Sequence, residues 1–490
     1  MLISLKVNNC FIYNAETEFT MRSDMRNKHF PCNVISVNST NVLKSAIIIG
    51  SNNAGKTIFV RCLNTVRSIM LNEGKRMVPN IFNDDKKCEF AISFCDNSFE
   101  YCFELKYDYS KNEYFFEKFS KITYDIHKNK KETIILLRDT QNMEYVCNTE
   151  DKEEKNVVIS AMKVIAKNNL LIYLLDTSQF SVLSDIKNII ISFARKIDIV
   201  DMNNIPMKKT IEMLKLSDEK KQKIVNFILN AGVYLENYQY LKEANSNNDI
   251  GKVLNYDDEI YIQEKVIEGS ETFIEQLRLF STYKGVTIPS MAFDSTGTKK
   301  MACLASYVID ALENGRILVV DELDNSLHFK LVRAIIAMFN NELNTKAQLI
   351  CTVHDINLLD CQKLFRKEQI WFAHRNLDDA YLYSLSEFTA EKNGVRDTSN
   401  LVEKYKRGVF GALPEPDLFE SLLVVTNLGN RFSYKIYDAD TPEEYRNLII
   451  SLFKRDFFIF CTNLTDFNLF NKVCQHFGSE FPYGIIFSDC

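Results

Sequence analysis

Hydrophobic positions recur with two different periods along this chain, and the change of period divides it. Over residues 1 to about 105, apolar and polar side chains alternate, as in Leu2-Ile3-Ser4-Leu5-Lys6-Val7 and Phe90-Ala91-Ile92-Ser93-Phe94, which predicts strands with one buried face. One helix is expected in this part, after Gly55. From about 150 to 280 the period becomes helical: Ile186, Ile189, Ile190 and Phe193 share one face, as do Ile224, Phe227, Ile228 and Ala231. Ser217 ahead of Asp218 and Glu219 predicts the start of the second of these helices, because a hydroxyl caps free amides and acids suit the positive end of the dipole. Strand and helix then alternate again, with Arg316-Ile317-Leu318-Val319-Val320 and Gln348-Leu349-Ile350-Cys351-Thr352 reading as buried strands with a helix between them. A last segment follows Pro414 and Pro416 and opens a helix at Thr441-Pro442-Glu443-Glu444.

This pattern predicts an α/β protein. Residues 1–149 and 285–414 are expected to build one discontinuous sheet domain, 150–284 a helical insertion, and 415–490 a small extension. Glycine (15) and proline (8) are too scarce for a flexible linker to mark these boundaries, so they rest on the change of period.

Composition narrows the class. With 490 residues, 46% hydrophobic and 25% charged, the chain is long and apolar enough for a large core, which excludes disorder as its main state. Its 59 Lys+Arg against 65 Asp+Glu leave a net charge of -6, so nothing global suggests a coat for nucleic acid or an anionic membrane. No apolar run approaches the roughly 18 residues needed to cross a bilayer. The N-terminal run lacks the basic and apolar regions of a cleaved leader and is expected to be retained. The 13 cysteines are odd in number and form no CxxC pair, which points to a reducing cytoplasm and against a disulfide framework or structural zinc.

Four motifs carry the chemistry. Gly50-Ser51-Asn52-Asn53-Ala54-Gly55-Lys56-Thr57 follows the apolar run Ala46-Ile47-Ile48-Ile49 and precedes a helix, the context required of a GxxxxGK[ST] phosphate loop. Its glycines let Gly50, Asn52 and Gly55 turn successive amides toward phosphate oxygens; Lys56 would reach the β- and γ-phosphates of ATP, and Thr57 would put its hydroxyl on Mg²⁺. Asp321-Glu322 ends a buried strand, where the first acid can hold the metal through water and the second can orient an attacking water. Standing alone, the pair would read as a solvated strand end. His354 ends the next strand, where an imidazole can sense a γ-phosphate. Asp294-Ser295-Thr296-Gly297 opens an apolar helix, and spacing alone does not choose between an anion site and a plain N-cap.

Taken in order, these elements resemble an ABC-type ATPase head, with closest similarity to the AAA-ATPase family related to the AbiLi abortive-infection proteins, within the wider SMC-like and overcoming-lysogenization-defect group. The resemblance rests on the four motifs, on Asp321-Glu322-Leu323-Asp324-Asn325-Ser326-Leu327-His328, on Gln348 to Asp355, and on Tyr405-Lys406-Arg407-Gly408-Val409-Phe410-Gly411-Ala412-Leu413-Pro414 as a C-terminal marker, and covers about residues 1 to 415. It implies a P-loop NTPase head with a mixed, largely parallel sheet, in which two protomers sandwich ATP and Ser295 and Gly297 close on the nucleotide held by the other subunit. A homodimer or higher homo-oligomer is implied, with a nuclease or toxin as partner effector in an anti-phage system and catalytic roles for Lys56, Glu322 and His354. The rivals are a slowly hydrolysing nucleotide-bound scaffold and a DNA-repair or chromosome-maintenance head; contact with DNA stays open.

The chain departs from the family in three places. Cys10 and Ile12 stand where the first hairpin usually has an aromatic and a serine, Asn53 takes a loop position where small residues are usual, and no Q-loop glutamine is evident before residue 110. The tail lies outside the resemblance. Its Asp438-Ala439-Asp440, with Glu420, is similar to the acidic pattern of TOPRIM nucleases, although a turn before the Thr441 helix is the simpler reading.

Overall fold

The computed structural model describes residues 1–412 apart from 25, 38–39, 97–98, 126–128, 242–274, 377–378 and 397, together with 460–461 and 486–487. The chain divides into two compact units, Met1–Pro414 and Glu415–Cys490. In the second unit the described residues are the parallel pair Phe460–Cys461 and Ile486–Phe487. Glu420, Asp438, Asp440 and Thr441 lie outside the described residues, as do Leu413 and Pro414 of the C-terminal marker.

Two sheets organise the first unit. The alternating sequence near the N-terminus builds a seven-stranded antiparallel sheet in the order Glu144–Cys147, Lys130–Asp139, Glu113–Tyr124, Phe99–Asp108, Lys87–Asp96, Leu2–Asn8, Thr17–Thr20. The continuous apolar runs build a six-stranded sheet in the order Ile197–Asp201, Ile317–Asp321, Gln348–Val353, Ser45–Ile49, Ile370–Arg375, Ala380–Ser384, parallel except for the last strand. Strands buried on both faces need apolar residues at every position, which is why these runs do not alternate.

The faces of the parallel sheet divide by parity. Ala46, Ile48, Ile317, Val319 and Ile350 join one core with the helix Lys56–Met70 and the inner face of the antiparallel sheet, including Ile92, Phe94 and Phe103. Ile47, Ile49, Leu318, Val320 and Cys351 face a second core with the helices Thr296–Asn314 and Phe329–Asn340. The layers therefore run sheet, helix, sheet, helix. Each large apolar side chain buried in them contributes roughly 1.5–3 kcal/mol. A three-stranded sheet of Asn237–Tyr240, Leu279–Tyr283 and Val286–Pro289 lies beside the second core, through Tyr238 and Leu279.

The stretch 150–284 carries helices where its periodicity places them, at Ser181–Arg195 and Asp218–Asn230, and Ser217 caps the latter by accepting from the Lys220 amide. These helices share the two cores of the first unit. Phe193 stacks on Phe94 of the antiparallel sheet at 4.0 Å between ring centroids. The same stretch also supplies the edge strand Ile197–Asp201, in parallel register with Ile317–Asp321. Its five residues follow the preceding helix after a single residue, so helical periodicity masks it.

Candidate functional site

The loop strand Ser45–Ile49 is central in the parallel sheet, and the chain leaves it at Gly50 to form the phosphate loop. Glycine is required at both ends of that loop. A Cβ at Gly50 would lie 2.3 Å from the Ala373 carbonyl oxygen, and Gly55 has φ +104° with its Cβ position 2.9 Å from Ile12 Cδ1. Asn53 adopts a left-handed φ of 64°, and its Oδ1 accepts from Arg375 at 3.1 Å. Tyr13 donates its hydroxyl to the Gly55 carbonyl at 3.3 Å, so the first hairpin supports the loop from below. A cavity of about 410 Å³ opens beside the loop, lined by Ser51 to Ala54, Arg375 and Asn376.

Lys56 opens the following helix and is buried. Its Nζ donates to the carbonyls of Gly50 (2.7 Å) and Ser51 (2.9 Å) and faces His354 Nδ1 at 3.5 Å. Burial lowers its pKa from the ordinary lysine value, and the nearby carboxylates of Glu322, Asp321 and Asp324 oppose that shift. Thr57 beside it is half-buried.

The acids arrive from two strands away. Ile317–Asp321 and Ser45–Ile49 flank the switch strand Gln348–Val353, so parallel order brings Asp321, Glu322 and His354 to the same sheet edge as the phosphate loop. Thr352 donates its hydroxyl to Asp321 Oδ1 at 2.5 Å and accepts from the Glu322 amide at 2.7 Å. Glu322 turns out of the strand with φ 54°, a costly conformation for a side chain of its size, and its Oε1 lies 3.8 Å from His354 Nε2. Asn325 donates to Glu322 Oε2 (3.2 Å) and to Asn203 (2.7 Å). Asp324 Oδ2 accepts from the backbone amides of both His354 (2.6 Å) and Asp355 (2.7 Å), which holds the switch turn against the acid strand.

Lys56, His354 and Glu322 thus form a continuous line across the sheet edge, with Asp321 behind Glu322. Ser295 and Gly297 lie elsewhere in the chain's contacts. Ser295 caps the helix Thr296–Asn314 by accepting from the Thr298 amide at 3.1 Å, and a Cβ at Gly297 would sit 3.5 Å from the Ser326 carbonyl. Lys300 donates to the Asn325 carbonyl at 3.2 Å, so this helix start adjoins the turn after Glu322. Asp294, just before the cap, accepts from Ser281, Ser290 and Tyr283, tying the helix start to the three-stranded sheet.

Sequence reasoning overlooked Thr352, Asp324, Asn325 and Tyr13 as supports. A hydroxyl at a fully buried strand position was the available signal for Thr352. The others act through contacts that no local pattern announces.

Among the described residues no three His, Cys, Asp or Glu side chains cluster to hold a metal unaided. Mg²⁺ is compatible with the oxygens present, because it keeps several waters and takes one or two protein oxygens plus substrate phosphates. Asp321, with Oδ2 outside the Thr352 bond, and the Thr57 hydroxyl offer such oxygens. The cysteines from Cys10 to Cys351 are free thiols. Among the described residues no helix is long and apolar enough to cross a membrane.

A strand, a glycine-bounded loop and a helix opening on lysine, in a sheet whose neighbouring parallel strands end in acids and histidine, define the architecture. The chain has an α/β P-loop nucleotide-binding fold. The family described as "AAA domain, putative AbiEii toxin, Type IV TA system" matches residues 177–360, a stretch that contains Ser295, Gly297, Asp321, Glu322 and His354 and excludes the phosphate loop. No curated protein matches the chain. Similar solved structures include an SMC head bound to the C-terminal winged-helix domain of ScpA, at 12% identity and TM-score 0.38, covering 78% of this chain and 97% of that one. The SMC head domain from Thermotoga maritima is similar at 10% identity and TM-score 0.36, covering 78% of this chain and 98% of that one.

Proposed function

We propose that the chain binds and hydrolyses ATP, pairs with a second copy around the nucleotide, and controls an effector such as a nuclease or toxin in an anti-phage system. The observation that carries the ATPase reading is the line of Lys56, His354 and Glu322, with spacings of 3.5 Å and 3.8 Å, at the mouth of a glycine-bounded phosphate loop. Loop amides and Lys56 hold the terminal phosphates. Glu322, aimed by its left-handed backbone and by Asn325, orients water for in-line attack, and His354 hydrogen-bonds the γ-phosphate. Mg²⁺, held through Thr57 and Asp321, would supply the charge that neutralises the phosphate oxygens.

Pairing of two copies is supported by the position of Gly297 beside Ser326 and by the exposure of Ser295 at the helix start. A helix start so placed is free to meet the nucleotide of a partner. The defence role is supported by the family description matched over 177–360 and by the motif resemblance.

Phosphate release from ATP is the test. Glu322→Gln should bind ATP within about threefold of the wild type while turnover falls by roughly a hundredfold. An unchanged rate rejects Glu322 as the base. Wild-type protein that binds ATP yet releases phosphate no faster than ATP does in buffer alone favours the slow scaffold instead.

A further inference from the structure

The switch strand Gln348–Val353 is fully buried, and most of its residues are apolar. Thr352 has no exposed surface, so its hydroxyl must be bonded within the protein or cost roughly 1–3 kcal/mol. It makes two bonds, and both go to residues of the acid pair. A hydroxyl has one proton. That proton goes to Asp321 Oδ1, while a lone pair receives the Glu322 amide, so the two bonds run in one direction, from amide through hydroxyl to carboxylate. The carbonyl of the same threonine accepts from the Leu323 amide at 3.0 Å.

These contacts matter because of what Glu322 does there. The Ile317–Asp321 strand stays in register with the switch strand as far as Val320 opposite Cys351, and then Glu322 leaves the ladder with φ 54°. Its amide, freed from the sheet, would be unpaired without the threonine hydroxyl. The left-handed turn that aims Glu322 at His354 is therefore stabilised by the group that also holds one oxygen of Asp321. Valine would match the size, the burial and the strand preference of this position while offering neither bond.

We propose that Thr352 is a positioning residue for ATP hydrolysis: its single buried hydroxyl sets Asp321 and Glu322 in one fixed relation, so that the metal-side oxygen and the water-orienting carboxylate are aligned together. The proposal rests on the ATPase reading above and deepens it. Thr352 has no exposed surface and acts through the two acids.

The test pairs kinetics with a measurement that needs no nucleotide. In Thr352→Val, amide hydrogen exchange at Glu322 in the nucleotide-free protein should accelerate by about tenfold or more, since the acceptor of the Glu322 amide is gone. Turnover should fall by roughly tenfold to a hundredfold with KM for ATP within about threefold, the signature of lost alignment rather than lost binding. Thr352→Ser restores both bonds and should stay within about threefold of wild type in each reading. Should the valine variant fail to fold, Thr352→Ala, which leaves room for a water, replaces it with the same expectations. Wild-type exchange and turnover in the valine or alanine variant would overturn the proposal, as would a serine variant as impaired as valine. A wild-type protein without ATPase activity would sink the ATPase reading alone, and the exchange comparison would still decide whether Thr352 holds the turn.

Discussion

The first unit buries one cation in its antiparallel sheet and another where the phosphate loop leaves its parallel sheet, and it treats them in opposite ways. Arg138, in the antiparallel sheet, is wholly buried and stands directly across from Glu117, with a bond of 2.9 Å. The carbonyls of Ala166 and Asn169 take further guanidinium protons, and Glu117 also accepts the Leu171 amide at 3.0 Å. Every partner is a protein group, so the pair seams the segment before the helix Leu171–Leu174 to the sheet. Lys56, which opens the helix after the phosphate loop, is nearly as buried, but among the described residues it is met by loop carbonyls and the edge of an imidazole, with its three neighbouring acids beyond ion-pair distance. Arg138 Nε finds no partner among the described residues, yet the guanidinium is sealed from solvent with its charge already paired, whereas a cation held by dipoles at a loop mouth retains its attraction for phosphate. The same charge closes a seam between protein groups in one place and, on the proposed reading, awaits phosphate in the other.

Substitutions can break this contrast from either side. The largest effect is expected at Arg138: Arg138→Met strands the Glu117 carboxylate in the core and should cost about 3–5 kcal/mol in denaturant unfolding. Burial already raises the Glu117 pKa, so the stranded charge is a penalty above that raised value. The part of the loss due to the stranded charge should shrink as pH falls and vanish below the ordinary carboxylate range, where both folded and unfolded chains carry the proton, leaving the cost of the unpaired Ala166 and Asn169 carbonyls. Replacing the pair together, Arg138→Met with Glu117→Leu, should recover most of the stability. If the double variant stays as unstable as the single one, the pair is not a closed unit.

Lys56→Met should invert that outcome, lowering ATP affinity by about tenfold or more in equilibrium titration while leaving thermal stability unchanged or raised. The sign follows from its depressed pKa: the charged form subtracts stability at pH values below the folded pKa, and the penalty disappears once pH passes the ordinary lysine value. A Lys56 variant that unfolds like Arg138→Met would erase the distinction between the two cations. The smallest effect is expected at Ser295, where Ser295→Ala removes the cap on the Thr298 amide and should cost about 1 kcal/mol. ATP binding to a single copy should not change, whereas a drop in ATP-dependent pairing on a sizing column would show Ser295 acting on a partner's nucleotide.

Much of the fold was legible in the chain itself. Continuous apolar runs at 46–49, 317–320 and 349–351 appear as strands buried on both faces, and alternation at 2–7 and 90–94 appears in the antiparallel sheet. Motif spacing singled out residues 56, 321, 322 and 354, and parallel strand order brings them to one edge. What stayed hidden is physical in kind. Strand Ile197–Asp201 has five residues and no break before it, and the left-handed turn at Glu322 sits where glycine or asparagine would ordinarily announce it. The bonds of Thr352 and Asp324 join residues about 30 apart, and those of Arg138 join neighbouring strands, so each is a consequence of tertiary packing.

The most direct test is a crystal structure of Glu322→Gln with ATP and Mg²⁺. A γ-phosphate oxygen within hydrogen-bond reach of Lys56 Nζ, roughly 3 Å, and His354 and residue 322 lining the side where water enters, is the expected result. A triphosphate bound away from Lys56, or seated in the loop with residue 322 too distant for one water to bridge, would contradict the account.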